Sequence, residues 1–451
     1  MKKLLVFIVA VIVLGLIVLF GADYVTPSKP ELADSSTADA TNKDLIAKGQ
    51  YLARMGDCVA CHSVPSGKPF SGGLAMSTPM GTIYSSNITP DPDTGIGSYS
   101  LQQFARAVRE GRRKDGTHLY PAMPYASYAK VNDDDIRALY AYFMHEVEPV
   151  KLASKPADMS FPFGIRKLMA MWNLAFYDAS DFDGKALENA QIARGAYLTE
   201  GLAHCGACHT PRGFGQQEKG LSGKDADFLT GSSVDGWTAP ALRAKDGPGV
   251  GAWSAQEIAD LLLSGRSVHS GVTGPMTDVI ANSTQYATKD DAMAMAVYLK
   301  SLPSGAKDNA NGKFVASDQT ANELHNGITK TLGARLYVDN CAGCHRSSGS
   351  GEKRAFPALA GNSLVLADDP SSLIHVILAG ATLPSTQAAP SDLGMPDFAH
   401  RLNDSETAEL ATFVRSAWGN KAAAVNASQV AAVRKTLPAS VTRQVVEQDH
   451  K

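Results

Sequence analysis

Between residues 42 and 420 apolar positions recur at helical spacing, and the order of helical stretches repeats three times. The stretches "AKGQYLARMG", "ARGAYLTEGL" and "TLGARLYVDN" each predict a short helix with glycine at a matching place, Gly49, Gly195 and Gly333. Downstream, "SLQQFARAVREG", "SAQEIADLLLSG" and "SSLIHVILAG" predict helices closed by Gly111, Gly265 and Gly380 as C-cap residues. Last in each repeat, "NDDDIRALYAYF", "TKDDAMAMAVYL" and "NDSETAELATFV" open on a capping residue and acids and continue as helix. The pattern predicts a mainly α fold of three tandem units of about 100 residues each. In each unit the first and last helices cross, with the glycine permitting close approach. Tyr142, Tyr298 and Phe413 fall at one aligned position on the last helix and read as core aromatics.

The three domains are placed at residues 46–150, 185–305 and 329–420. Residues 23–45 are polar and turn-rich, a flexible linker. The interdomain linker 151–184 holds "MSFPFGIRKLMAMWNLAFYD" (159–178), too interrupted by Pro, Gly and charge to span a bilayer and read as packed on neighbouring domains. Residues 306–328 read as another polar linker, and 421–451 as a C-terminal tail with a weak helix and no chemistry. The chain begins with two lysines and an uncharged apolar run from Leu4 to Ala22. That run exceeds the apolar core of about 7–15 residues found in cleavable signals, and the small-residue site ending at Ala38 lies far downstream. We therefore expect residues 1–22 to form an apolar helix serving as an uncleaved signal anchor, with a removed signal peptide as the alternative. Either way the body is exported to the periplasmic side of a bacterial cytoplasmic membrane, lysines inside.

Composition changes this picture little. Apolar residues make up 44% of the 451-residue chain and charged residues 19%, ordinary for globular units. No basic face is interleaved with aromatics, so nucleic acid is not an expected partner. The six cysteines are more telling, for all of them stand in "DCVACH", "HCGACH" and "NCAGCH". Two C-x-x-C pairs can cage a zinc, but three leave one unmatched, and neither zinc, a redox dithiol nor a disulfide requires the trailing histidine. C-x-x-C-H is the attachment site of a c-type haem. The spacer sets the two sulfurs about one helical turn apart for thioether bonds, and the histidine ligates the iron. Attachment is thus expected at Cys58 and Cys61, Cys205 and Cys208, and Cys341 and Cys344, with His62, His209 and His345 as proximal ligands. A buried porphyrin also supplies apolar surface that so small a unit lacks.

Whether such a haem catalyses or conducts depends on its second ligand. Each repeat offers a methionine next to proline in a loop before its last helix: Met123, Met276 and Met395. Met76, Met80, Met169 and Met171 read as core filler. His118, His269 and His400 are rival ligands near the same loops, but they share no common position and read as surface or supporting residues. A backbone carbonyl is expected to hold each proximal imidazole; Pro65, Pro211 and Pro357 stand near the motifs, and the residue responsible is left open. Arg106, Arg109, Arg112 and Arg113 either neutralise propionates or dock a partner, or form a solvated helix face.

Together with the three motifs, "NITPDPDTGIG", "HLYPAMPY", "CGACHTPRG" and "GMPDF" give a chain that resembles the tri-haem cytochrome c subunits of bacterial membrane-bound dehydrogenases. Those serve quinohaemoprotein alcohol dehydrogenase and the flavin-dependent gluconate, sorbitol or glucose dehydrogenases. The resemblance spans about residues 42–420. It implies three class I cytochrome c-like domains, three covalently bound haem c groups, and the ligand pairs His62 and Met123, His209 and Met276, and His345 and Met395. It also implies a partner flavoprotein or quinoprotein that oxidises an alcohol, sugar, sugar acid or aldehyde, and a small third subunit. Ubiquinone or a terminal oxidase would be the acceptor. The chain itself shows no dinucleotide fingerprint after a strand and no propeller repeats, so no catalytic residue is expected in it. The competing class is a self-sufficient, peroxidase-like periplasmic haem enzyme with one open haem site. The third repeat departs somewhat, lacking proline soon after its motif and holding a longer stretch between Gly380 and Met395.

Overall fold

The structure, a computed structural model, describes residues 3, 21–22, 25–32, 42–243, 250–304 and 314–438. The expected N-terminal helix over 1–22 lies outside the described residues except for Lys3, Gly21 and Ala22. Among the described residues no helix is long and apolar enough to cross a membrane. Packing divides the chain into two compact units, one of residues 1–187, 196–204 and 212–217, the other of 188–195, 205–211 and 218–451.

In the first unit, α1 (Lys43–Met55) crosses α3 (Asp133–His145), with α2 (Leu101–Glu110) between them in sequence. A Cβ on Gly49 would stand 1.9 Å from the Ala138 carbonyl oxygen and 2.7 Å from Tyr142 Cβ, so the crossing exists only because position 49 has no side chain. Ser100 and Gln103 form a capping box on α2, Gly111 closes it at φ 62°, and Asn132 caps α3 through the Asp135 amide. Three short strands, β1 (Ala75–Thr78), β2 (Gly81–Tyr84) and β3 (Asp158–Met159), form a small antiparallel sheet absent from the helical expectation. The 159–178 segment is packed, as expected of it, and holds a helix, α4 (Leu168–Phe176). Asn173 accepts from the Tyr125 hydroxyl at 2.6 Å, and the Trp172 indole donates to the Gly215 carbonyl at 2.7 Å.

The second unit contains the same crossing twice. Gly195, in α5 (Ala190–Ala196), approaches α8 (Lys289–Ser301), where a Cβ would meet the Ala294 oxygen at 2.0 Å and Tyr298 Cβ at 2.8 Å. Between these lie α6 (Ala255–Ser264), capped by Ser254 and Gly265, and α7 (Pro275–Asn282). Gly333, in α10 (Leu332–Asn340), would meet the Glu409 oxygen at 2.2 Å and Phe413 Cβ at 2.8 Å on α12 (Asp404–Ser416). Here α11 (Ser371–Ala379) ends on Gly380 at φ 73°, and Asn403 caps α12. Two-stranded ribbons β4 (Ser232–Val234) with β5 (Trp237–Ala239) and β6 (Ala381–Thr382) with β7 (Gly394–Met395) complete the unit.

Two stretches expected as connectors are structural. In the 306–328 stretch, α9 (Gln319–His325) buries Leu324 in the core around Tyr337 and Trp418. In the tail, α13 (Ala427–Arg434) buries Val430, and Arg434 pairs with Asp404 at 2.7 Å and donates to the Ala399 and Leu402 carbonyls. A unit this small gains apolar burial by recruiting helices from both flanks, which a repeat alignment does not register. Arg415, 1% exposed, ties the start of the tail to the 365–367 segment by donating to the carbonyls of Ala423, Val365 and Ala367 at 2.7–2.8 Å. Arg415→Met is expected to cost about 3 kcal/mol, since it strands buried carbonyls. Denaturant unfolding checks this, and a loss within about 0.5 kcal/mol would mean water replaces the guanidinium.

Candidate functional site

Each C-x-x-C-H motif lies on a single helical turn that follows the first helix of its repeat: Cys58–Cys61, Gly206–His209 and Ala342–His345. Burial pushes the Cys58, Cys205 and Cys341 thiols up to about 12, so at neutral pH the free side chains are protonated. Among the described residues no three His, Cys, Asp or Glu side chains gather to hold a metal on their own.

One arrangement recurs at all three motifs. His62 Nδ1 lies 2.7 Å from the Ser86 carbonyl, His209 Nδ1 2.8 Å from that of Pro240, and His345 Nδ1 2.9 Å from that of Pro357. A carbonyl can only accept, so each imidazole carries its proton on Nδ1 and presents the Nε2 lone pair. Burial also lowers the basicity of all three rings, which keeps them neutral and fit to ligate a metal. Paired cysteines with an oriented, neutral histidine behind them fit haem c, whose covalent attachment and proximal ligation require those groups.

A glycine completes each site. Gly72, Gly231 and Gly351 donate their amides to the backbone carbonyls of His62, His209 and His345 at 2.7, 2.8 and 3.1 Å. Their φ values are 76°, 92° and 61°. A Cβ on each would press on the segment that supplies the ring acceptor: Ser86, the Ala239–Ala241 stretch, and Phe356 with Pro357. The glycine thus holds the histidine backbone and the acceptor segment together. Neither the acceptors nor the glycines follow the motif at a fixed distance, so the repeat pattern does not reveal them. The shared "PAL" of residues 240–242 and 357–359 was the available signal for two of the acceptors. Pro357 is one of the prolines singled out above; Pro65 and Pro211 do not supply an acceptor to these rings.

The three candidate methionines are all partly buried. Met123 packs beside Tyr125 and Tyr177, and Met395 lies on β7 against the core of its repeat. Met276 is not in a loop: it occupies the first turn of α7, after Pro275 at the helix start. The long stretch after Gly380 has a simple explanation. It runs out and returns through the β6–β7 pair, so that Met395 pairs with Ala381 and a Cβ on Gly380 would lie 2.5 Å from the Met395 oxygen.

The rival histidines are engaged elsewhere. His269 Nε2 contacts Glu257 at 3.1 Å and its ring stacks on Trp253, while His400 Nδ1 contacts Asp397 at 2.9 Å. His118 is no surface residue; it is 3% exposed, with Nδ1 3.2 Å from the Asn173 amide. Of the arginine row, Arg109 is likewise buried and pairs with Asp133 at 2.8 Å, which corrects the reading of a solvated face.

The cytochrome c family model matches residues 46–146 and 331–418. The chain is 50% identical to the cytochrome c subunit of gluconate 2-dehydrogenase from Pantoea cypripedii over 416 residues, 91% of this chain and 93% of that one. It is 46% identical to the cytochrome c subunit of the quinone alcohol dehydrogenase of Gluconobacter oxydans, covering 88% and 84%. It is 47% identical to the corresponding subunit from Gluconacetobacter polyoxogenes, covering 90% and 86%.

Proposed function

Because the chain belongs to the family of cytochrome c subunits of dehydrogenase complexes, we propose that it carries three haem c groups and conducts electrons from a catalytic subunit to ubiquinone or the respiratory chain. It is an electron-transfer subunit, and substrate oxidation belongs to its partner. The observation that carries the count of three is the recurrent bond from proximal imidazole Nδ1 to a backbone carbonyl, made at every motif.

In this reading Cys58 with Cys61, Cys205 with Cys208, and Cys341 with Cys344 form the thioethers. His62, His209 and His345 are the proximal ligands, and Met123, Met276 and Met395 the distal ones. Bound haem c supplies a one-electron iron couple. The protein's own part is to orient each imidazole through Ser86, Pro240 and Pro357, to keep it neutral by burial, and to exclude water. The domains are three, at 46–150, 185–305 and 329–420, the last drawing on α9 and α13 for its core. The partner is a flavoprotein or quinoprotein acting on an alcohol, sugar, sugar acid or aldehyde, joined by a small third subunit. The N-terminal apolar run holds the assembly at the periplasmic face of the cytoplasmic membrane.

Denatured, acid-extracted protein should keep three haems per chain, with an intact mass above the polypeptide by three haem groups. A gain of two in matured protein refutes the count. The isolated chain should be inert to alcohols, gluconate and glucose, and should become reduced once the catalytic subunit and its substrate are added.

Distal ligation has its own test. Met276→Ala should remove about a third of the Met-to-iron charge-transfer band and lower one potential. Breaking the Glu257 contact with His269→Ala should leave the band intact; an unchanged band in Met276→Ala together with a switch to high spin in His269→Ala would reassign that ligand.

A further inference from the structure

Apart from Asn173, helix α4 is apolar, yet it is only partly covered. Ala170 and Asn173 are buried, whereas Met171, Leu174 and Ala175 are exposed. A soluble surface helix places polar residues on its outer face, and an all-apolar helix normally lies in a core or in lipid. The loop before it adds Phe161, 87% exposed, with Phe163 and Ile165, and Phe214, 93% exposed, extends the patch by packing edge-on against Phe176. Clustered exposed side chains of this size mark a contact surface.

Two observations say what covers it. From Met159 to Tyr177 the sequence holds no acid and two bases; Arg166 is held inward over the Tyr120 ring and donates to the His118 carbonyl, while Lys167 is exposed, so the outer side carries no negative charge to oppose an anionic surface. The N-terminal apolar run also ends here. Ala22, its last residue, is buried; Thr26 donates to the Ala22 carbonyl at 2.6 Å and to the Ala170 carbonyl of α4 at 3.4 Å. Lys29 then pins the chain to Ser180 and Asp181 just beyond α4. The last residue of the run is therefore held against α4, the helix that carries this patch.

We propose that α4 and the preceding loop form a monotopic membrane-contact surface, inserting Phe161, Phe163, Met171 and Leu174 among the lipids of an anionic leaflet. The inference rests on the membrane-side location proposed above. It adds that the first unit lies against the bilayer instead of hanging from it on a tether. Interfacial binding grows with the apolar area inserted, and this surface offers four large apolar side chains.

The test uses the full-length, haem-loaded chain in vesicles of phosphatidylethanolamine and phosphatidylglycerol carrying a photoactivatable diazirine lipid, with labelled peptides mapped by mass spectrometry. Peptides covering residues 160–175 should be labelled about tenfold above those of α1. The combined variant Phe161→Ser, Phe163→Ser, Met171→Gln and Leu174→Gln should lose that excess with its haem absorbance unchanged. An unlabelled patch beside a labelled N-terminal run overturns the inference and leaves the anchor reading standing. Labelling of the patch after N-terminal sequencing shows the run removed upholds the inference and ends the anchor reading. A patch that is dark in vesicles but shielded from aqueous reagents by the catalytic subunit, or by a second copy of the chain, also overturns it.

Discussion

Gly49→Ala, Gly195→Ala and Gly333→Ala are each expected to destabilise the protein by about 3 kcal/mol, although alanine is the better helix former. All three glycines lie inside helices, where the change to alanine would ordinarily stabilise by about 1 kcal/mol. The opposing effect is steric. The new methyl would stand 1.9–2.2 Å from a backbone carbonyl oxygen of the last helix, and a backbone cannot rotate aside as a side chain can. The helices must therefore separate along the crossing that also positions Tyr142, Tyr298 or Phe413. Overpacking on this scale outweighs propensity, and the melting temperature should fall by roughly 10 °C or more. Gly164→Ala is the control, since its nearest neighbour stands at 3.5 Å, an ordinary contact. Calorimetry of the haem-loaded variants decides the matter, and an unchanged melting temperature in all three would show that the crossings relax at no cost.

His345→Ala is expected to stop electron flow through the assembled complex while leaving the protein folded and the thioether-bound mass in place. With His345 as the iron ligand proposed above, reduction of an added electron acceptor driven by the catalytic subunit's substrate should fall by more than about 100-fold, because removing a direct ligand exceeds the 10–100-fold cost of losing an outer partner. About one third of the low-spin absorbance should go with it. Gly351→Ala supplies the graded comparison. Its methyl would press on Phe356 and Pro357, the segment whose carbonyl orients the His345 ring, so it should lower the rate by about tenfold and shift one potential. Equal rates in wild type and His345→Ala would remove the third motif from the electron path.

The sequence by itself determined the three motifs and the helices around them, because both are local: haem attachment needs five consecutive positions, and caps and periodicity act within a few turns. It determined the pairing of first and last helices as well, since Gly49, Gly195 and Gly333 and the aromatics opposite them stand at repeating places. Tertiary structure decided what depends on chain segments meeting from variable distances. Ser86, Pro240 and Pro357 reach the histidine rings through loops of different length, and Gly72, Gly231 and Gly351 lock those loops only once folded. The sequence left His118 open between a surface and a supporting place, and Arg109 between a solvated face and a binding role; both are buried, because the 159–178 segment covers the first and an ion pair with Asp133 neutralises the second. Likewise α9 and α13 have weak polar sequences, and only the apolar faces of their neighbours turn a linker and a tail into parts of a core. Local chemistry is written in adjacent residues, whereas burial is a property of whatever the rest of the chain brings alongside.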